Sequence, residues 1–188
     1  MHGIGECGTN IWKTTGHGPA EYIALHPNFP FIMVSPQCPV GHKWSDDAIL
    51  GVLDDVIDKY AADTNRAYLS GLSQGGFGFW SLATTYPDRF AAAAPISGGG
   101  DVLGLIICRF NKPRDEALKA LPIWAFHGGK DPVMAEAESE RMVAALKAFG
   151  CKDIKLTVYP DAKHDVWTQT YDRSELYEWF LKHEKSSR

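Results

Sequence analysis

Apolar residues along this chain recur at two spacings, and the switching between them predicts a repeated strand–helix order. Phe31-Ile32-Met33-Val34 is a continuous apolar run closed by Ser35-Pro36, the pattern of a buried parallel strand. From Ser45 the spacing becomes helical. Ile49, Val52, Leu53, Val56, Ile57 and Tyr60 fall on one face, with Ser45 as the cap and Asp46 and Asp47 in the first turn, where negative charge suits the helix dipole. Residues 66–70 then read as a short buried strand and 76–83 as a helix that ends near Tyr86-Pro87. Strands follow at 91–96 and 123–126, and a helix at 133–149 is stopped by Gly150 at the position that favours glycine. Residues 154–159 form the last strand, and 174–183 a closing helix with Leu176, Trp179 and Phe180 on one side.

Such repetition of β-α units predicts an α/β fold: a mostly parallel sheet with helices on both faces. There is no internal repeat, low-complexity tract or linker, so residues 1–188 are expected to form a single domain, long enough to bury a sizeable core. Composition adds little to this picture. A net charge of −4 argues against a nucleic-acid or anionic-membrane partner, and no apolar run reaches membrane-spanning length. No signal peptide is present in the chain as given, which leaves localisation open. The four cysteines (Cys7, Cys38, Cys108, Cys151) have no metal-ligand spacing, so no zinc site is expected. Cys7 and Cys38 both fall in loops that should follow adjacent strands; a disulfide between them and two free thiols are equal alternatives.

The chemistry concentrates at Gly71-Leu72-Ser73-Gln74-Gly75, a G-x-S-x-G sequence between the second predicted strand and its helix. A serine on so sharp a turn is presented at the carboxyl edge of a sheet. Its hydroxyl is a weak nucleophile that needs a base, and the base needs an orienting acid. Asp131, in the loop after the 123–126 strand, and His164, in the loop after the last strand, are the candidates. Asp131 also precedes Pro132 and could simply cap the next helix, and Asp161 and Asp165 are the fallback acids. The remaining histidines (His2, His17, His26, His42, His127, His183) are expected to be structural or solvated. An oxyanion needs two donors, and the expected ones are the backbone N–H groups of Gln74 and of Ile4, the latter within His2-Gly3-Ile4-Gly5.

These motifs, together with Ser35-Pro36-Gln37-Cys38-Pro39, Tyr86-Pro87-Asp88-Arg89-Phe90, Trp124-Ala125-Phe126-His127-Gly128 and Tyr159-Pro160-Asp161-Ala162-Lys163-His164, run in order through nearly the whole chain. The sequence resembles the carboxylesterase/phospholipase branch of the α/β-hydrolases, in particular the small predicted-peptidase, feruloyl- and polyhydroxybutyrate-type esterases. The resemblance implies cofactor-free and metal-free hydrolysis of a small-molecule carboxylic ester through an acyl-enzyme, with Ser73, Asp131 and His164 as the triad and Ile4 and Gln74 as the oxyanion hole. Thioester or peptide hydrolysis at the same site, and an inactive binding protein on the same fold, are the alternatives. Trp44 and Trp167 are placed by their loops to line the substrate cleft. Two departures stand out. The usual strands before the H-G-x-G loop are lacking in this chain, so it is either a shortened product or a sheet rearranged around the missing strand. An open edge left that way predicts a protein that self-associates into a homo-oligomer or is marginally stable. Residues 98–110 form a long apolar segment that is either a lid or acyl-pocket wall, or a helix completing the core.

Overall fold

All four strands run the same way and stack in chain order. The computed structural model describes residues 1–185, so the last three positions of the expected domain lie outside the described residues. Two helices come first, α1 (Pro19–Leu25) and α2 (Asp46–Lys59). The sheet follows as β1 (Tyr68–Leu72), β2 (Ala92–Ile96), β3 (Ile123–Gly128) and β4 (Ile154–Tyr159), in the order β1-β2-β3-β4. Helix α3 (Gln74–Thr85) connects β1 to β2; α4 (Leu103–Arg109) and α5 (Lys112–Ala120) connect β2 to β3. Helix α6 (Ala137–Phe149) connects β3 to β4, and α7 (Trp167–Tyr171) and α8 (Ser174–Leu181) close the chain. None of the helices among the described residues is long and apolar enough to cross a membrane.

Register decides where the loops emerge. Leu72 pairs with Ile96, Ile96 with Phe126, and Gly128 with Tyr159, so the strands finish nearly level. Every loop that follows a strand therefore opens on the same rim. Alternate strand residues supply two cores, as a doubly covered sheet requires. Leu69, Ala93 and Ile123 meet Phe79, Leu82, Met142 and Leu146 on one face. On the other, Ala94, Ile96 and Phe126 meet Tyr171, Leu176 and Phe180. Side chains the size of Phe79 and Leu82, both without exposure, each contribute about 1.5–3 kcal/mol through burial.

Local chemistry sets the helix ends. Ser45 accepts the N–H of Ala48 at 3.3 Å and starts α2 where expected. Gly150 ends α6 with φ of 108°, giving its N–H to the carbonyls of Leu146 and Lys147. That helix starts at Ala137 and not at residue 133, because the Asp131 carboxylate captures the N–H groups of Val133 and Met134 and bends residues 131–134 into a turn.

The apolar run Phe31–Val34 forms no strand. It lies at the β1 end of the sheet, where its residues and those of β1 both line a groove of about 560 Å³. Phe31 leaves for an aromatic cluster with Phe29, Tyr68 and Tyr177, while Ile32 and Val34 stay exposed. Beside β1 it is Met1 that pairs, its carbonyl accepting the N–H of Leu72 at 3.0 Å. An apolar run announces burial, and which backbone lies alongside is decided elsewhere in the chain.

The long apolar segment after β2 becomes α4, and it runs along α3 away from Ser73: Gly99 abuts Phe77, Gly100 abuts Trp80, and Gly104 abuts Thr84. Leu105 and Cys108 complete the core on its inner side. Leu103, Ile106, Ile107 and Phe110 form an exposed stripe on the outer side. Of the two roles expected for it, the packing matches the core helix on one flank only.

Candidate active site

The turn between β1 and α3 carries a strained residue. Ser73 has φ of 51° and ψ of −116°, a backbone conformation that costs a non-glycine residue about 1–3 kcal/mol. The flanking glycines are sterically required. A Cβ on Gly71 would collide with the carbonyl of Gly75, and one on Gly75 would collide with the carbonyl of Met1. The strand's last residues and the loop at Met1–Gly3 thus close on the serine from both sides.

Two later loops supply its partners. His164 Nε2 lies 2.9 Å from Ser73 Oγ, and His164 Nδ1 lies 2.6 Å from Asp131 Oδ2. Asp131 is an acceptor with both oxygens, so the ring nitrogen facing it carries the proton, and Nε2 is left to accept from the serine hydroxyl. The Asp131 side chain is completely buried and that of His164 largely so. Burial pushes the pKa of the Asp131 carboxyl up, but the Met134 N–H, the His164 ring and the Val133 N–H together outweigh it and hold the group below its ordinary range. The capping role and the pairing with His164 therefore coexist on one carboxylate: Oδ1 takes the two amides and Oδ2 the imidazole. Asp161 points to Lys130 on the surface and Asp165 to Thr168, so neither fallback acid reaches the histidine ring.

Ile4 and Gln74 each begin a helical turn, Ile4 that of Ile4–Glu6 and Gln74 that of α3, and first-turn amides have no acceptor within their own helix. The Ile4 loop is built from its neighbours. His2 is buried, contacts the carbonyl of Gly3 through Nδ1 at 2.6 Å and accepts the Cys38 N–H through Nε2 at 2.9 Å. Gly3 donates to Glu6 at 3.0 Å. Trp44 places its indole N–H 3.3 Å from the carbonyl of His2 and packs against Gly78 of α3. It thus sits beneath this loop. Trp167 stands edge-on to the His164 ring at 5.2 Å.

All four cysteines are free and buried thiols. Cys7 Sγ donates to the Gln74 side-chain carbonyl at 3.3 Å, and burial pushes the Cys38 thiol up, with the adjacent Cys7 adding to the shift.

One histidine expected to be merely structural stands closer to the site than its sequence suggests. His127, with no exposure, ends β3 and places Nε2 3.0 Å from the carbonyl of Met134 and 3.3 Å from Asp131 Oδ2. Both neighbours are acceptors, so Nε2 bears the hydrogen, and Nδ1 lies 2.7 Å from the Ser139 hydroxyl, which also lies 3.2 Å from the Gly98 carbonyl. Its position four residues before Asp131, on the same strand end, was the available sequence signal.

A parallel sheet with a serine on a tight strand-to-helix turn, met by a histidine and an aspartate from later loops on the same rim, defines an α/β-hydrolase fold. Residues 43–175, well over half of the chain, match the phospholipase/carboxylesterase family, and the chain belongs to that family. Acetylxylan esterase A of Aspergillus awamori is 30% identical over 108 residues, covering 47% of this chain and 36% of that protein. Feruloyl esterase B of Talaromyces stipitatus is 32% identical over 108 residues, covering 52% and 30% respectively. The crystal structure of a thermostable esterase is similar with a TM-score of 0.77 at 30% identity, over 95% of this chain and 52% of that one. The chain therefore spans about a third of the two curated relatives and about half of the solved esterase.

Proposed function

We propose that this protein is a serine carboxylic-ester hydrolase working through an acyl-enzyme. The observation that carries the reading is the continuous contact from Ser73 Oγ to His164 Nε2 at 2.9 Å and from His164 Nδ1 to Asp131 at 2.6 Å. Ser73 Oγ attacks the ester carbonyl while His164 takes its proton, and Asp131 steadies the imidazolium that forms. The negative charge on the former carbonyl oxygen is received by the amides of Ile4 and Gln74, each such donor being worth about 2.7–4 kcal/mol of barrier. His164 then protonates the departing alcohol, and a water activated by the same imidazole releases the acid and restores Ser73.

The rim around Ser73 is open to large alcohol portions. Ile4, next in sequence to the Gly3 that abuts Ser73, is 74% exposed, and α4 runs away from the serine. The relatives named for acetylxylan and feruloyl esters support a short or aromatic acyl group on a bulky alcohol as the substrate class. Steady-state hydrolysis of p-nitrophenyl acetate, a feruloyl ester, an acyl thioester and a peptide anilide tests this. The esters are expected to exceed the thioester and anilide by at least about tenfold in kcat/KM, and preferential cleavage of the anilide or thioester would overturn the ester assignment.

A further inference from the structure

Ser73 is one of two non-glycine residues with positive φ among the described residues, and the other is Ser97, with φ of 46°. Ser97 follows β2 directly and opens the sequence Ser97-Gly98-Gly99-Gly100. Glycine tolerates positive φ at no steric cost, yet in this run the strained position is the one that bears a side chain. An outlier of that kind calls for something the side chain does. Ser97 is completely buried, and its hydroxyl donates to the backbone carbonyl of His164 at 2.9 Å. Its own N–H continues the ladder to β3, donating to Phe126 at 2.9 Å. One residue thus anchors its backbone on the neighbouring strand and reaches past it to the loop after β4.

We infer that Ser97 is a positioning residue for the esterase reaction, its hydroxyl fixing the height of the His164 backbone so that Nε2 meets Ser73 Oγ. This rests on the triad reading above. The His164 loop is held to the β3 rim by the Lys130 N–H on the Ala162 carbonyl at 2.9 Å and by the Gly129 N–H on Tyr159 at 2.9 Å. Those bonds hold the loop upstream of the histidine. At His164 itself, the carbonyl receives, among the described residues, only the Val166 N–H, at 3.0 Å, from its own turn, and the Ser97 hydroxyl from the sheet. Removing the hydroxyl therefore leaves that carbonyl satisfied and the fold intact, but frees the ring to shift relative to the serine. A misplacement of about 1 Å costs on the order of 10²-fold in rate, so a partial loosening is expected to cost about tenfold.

Ser97→Gly and Ser97→Ala separate positioning from stability. Glycine removes the hydroxyl and the strain together, whereas alanine removes the hydroxyl and keeps the strain. If the hydroxyl positions His164, both variants lose about tenfold in kcat with KM within about twofold, although Ser97→Gly melts at or above the parent temperature and Ser97→Ala does not. Both also react about tenfold more slowly with a fluorophosphonate at Ser73. Activity that follows melting temperature, with Ser97→Gly fully active, overturns the inference, as does a loss carried by KM. If the parent itself fails to react at Ser73, the esterase reading falls and takes this one with it. If the parent reacts and both variants match its rate, only the role of Ser97 falls.

Discussion

Replacing Ser73 with alanine is expected to lower kcat for ester hydrolysis by on the order of 10⁵-fold or more, to the level set by binding and oxyanion stabilisation alone. The stability of the variant is the more instructive half of the result. Ser73 holds φ of 51° and ψ of −116°, and its only side-chain hydrogen bond among the described residues is the one to His164. Alanine keeps the backbone strain, so Ser73→Ala should unfold within about 1 kcal/mol of the parent. Glycine relieves about 1–3 kcal/mol of strain at a cost of about 0.5–1 kcal/mol in unfolded-chain entropy, so Ser73→Gly should be equally inactive and more stable by about 1 kcal/mol. Denaturant titration and steady-state kinetics on the two variants check both parts. A stable, dead Ser73→Gly would mean that strain is held at this turn for catalysis and is offset by packing elsewhere. An active Ser73→Ala would remove the nucleophile from the account.

Gly75→Ala is expected to lower stability sharply through a single added methyl group. Its Cβ would strike the carbonyl of Met1 and lie 2.7 Å from that of His2. Neither is the end of a flexible side chain. The Met1 carbonyl is already engaged with the Leu72 N–H at 3.0 Å, so relief requires breaking a backbone pair and displacing the loop that carries Ile4. Overpacking against backbone costs about 3 kcal/mol, or roughly 6–12 °C in melting temperature for a chain of this size. The displaced loop should also lower kcat about 10²-fold, the value of one oxyanion donor. Gly5→Ala is the matched control. Nothing lies within 4 Å of its Cβ, so its stability should change by no more than about 0.5 kcal/mol. Equal melting temperatures for the two variants would contradict the close approach of the Met1–Gly3 segment to the elbow.

Much of this arrangement was legible in the chain because it rests on local patterns. Residues 154–159 alternate and are bounded by turn formers, and β4 has those ends. The G-x-S-x-G sequence and the order of serine, aspartate and histidine follow from how an α/β sheet delivers its loops to one rim, so Ser73, Asp131 and His164 could be nominated without coordinates. What was not legible depends on partners distant in sequence. Phe31–Val34 has the composition of a buried strand, but at the sheet edge it is Met1 that pairs with Leu72. The start of α6 moved because one carboxylate serves both a turn and a histidine. Ser97 escaped notice for a related reason: positive φ and a buried side-chain contact leave no periodic trace, whereas the only sign of His127 was its spacing from Asp131.

Activation of Ser73 as the nucleophile has a direct chemical readout. Intact-mass and peptide mass spectrometry after treatment with a fluorophosphonate tests it most directly. One adduct per chain is expected, on the peptide containing Ser73, formed by the parent and lost in both Ser73→Ala and His164→Ala. A parent protein that stays unmodified, or one modified at another residue at the same rate in Ser73→Ala, would contradict it.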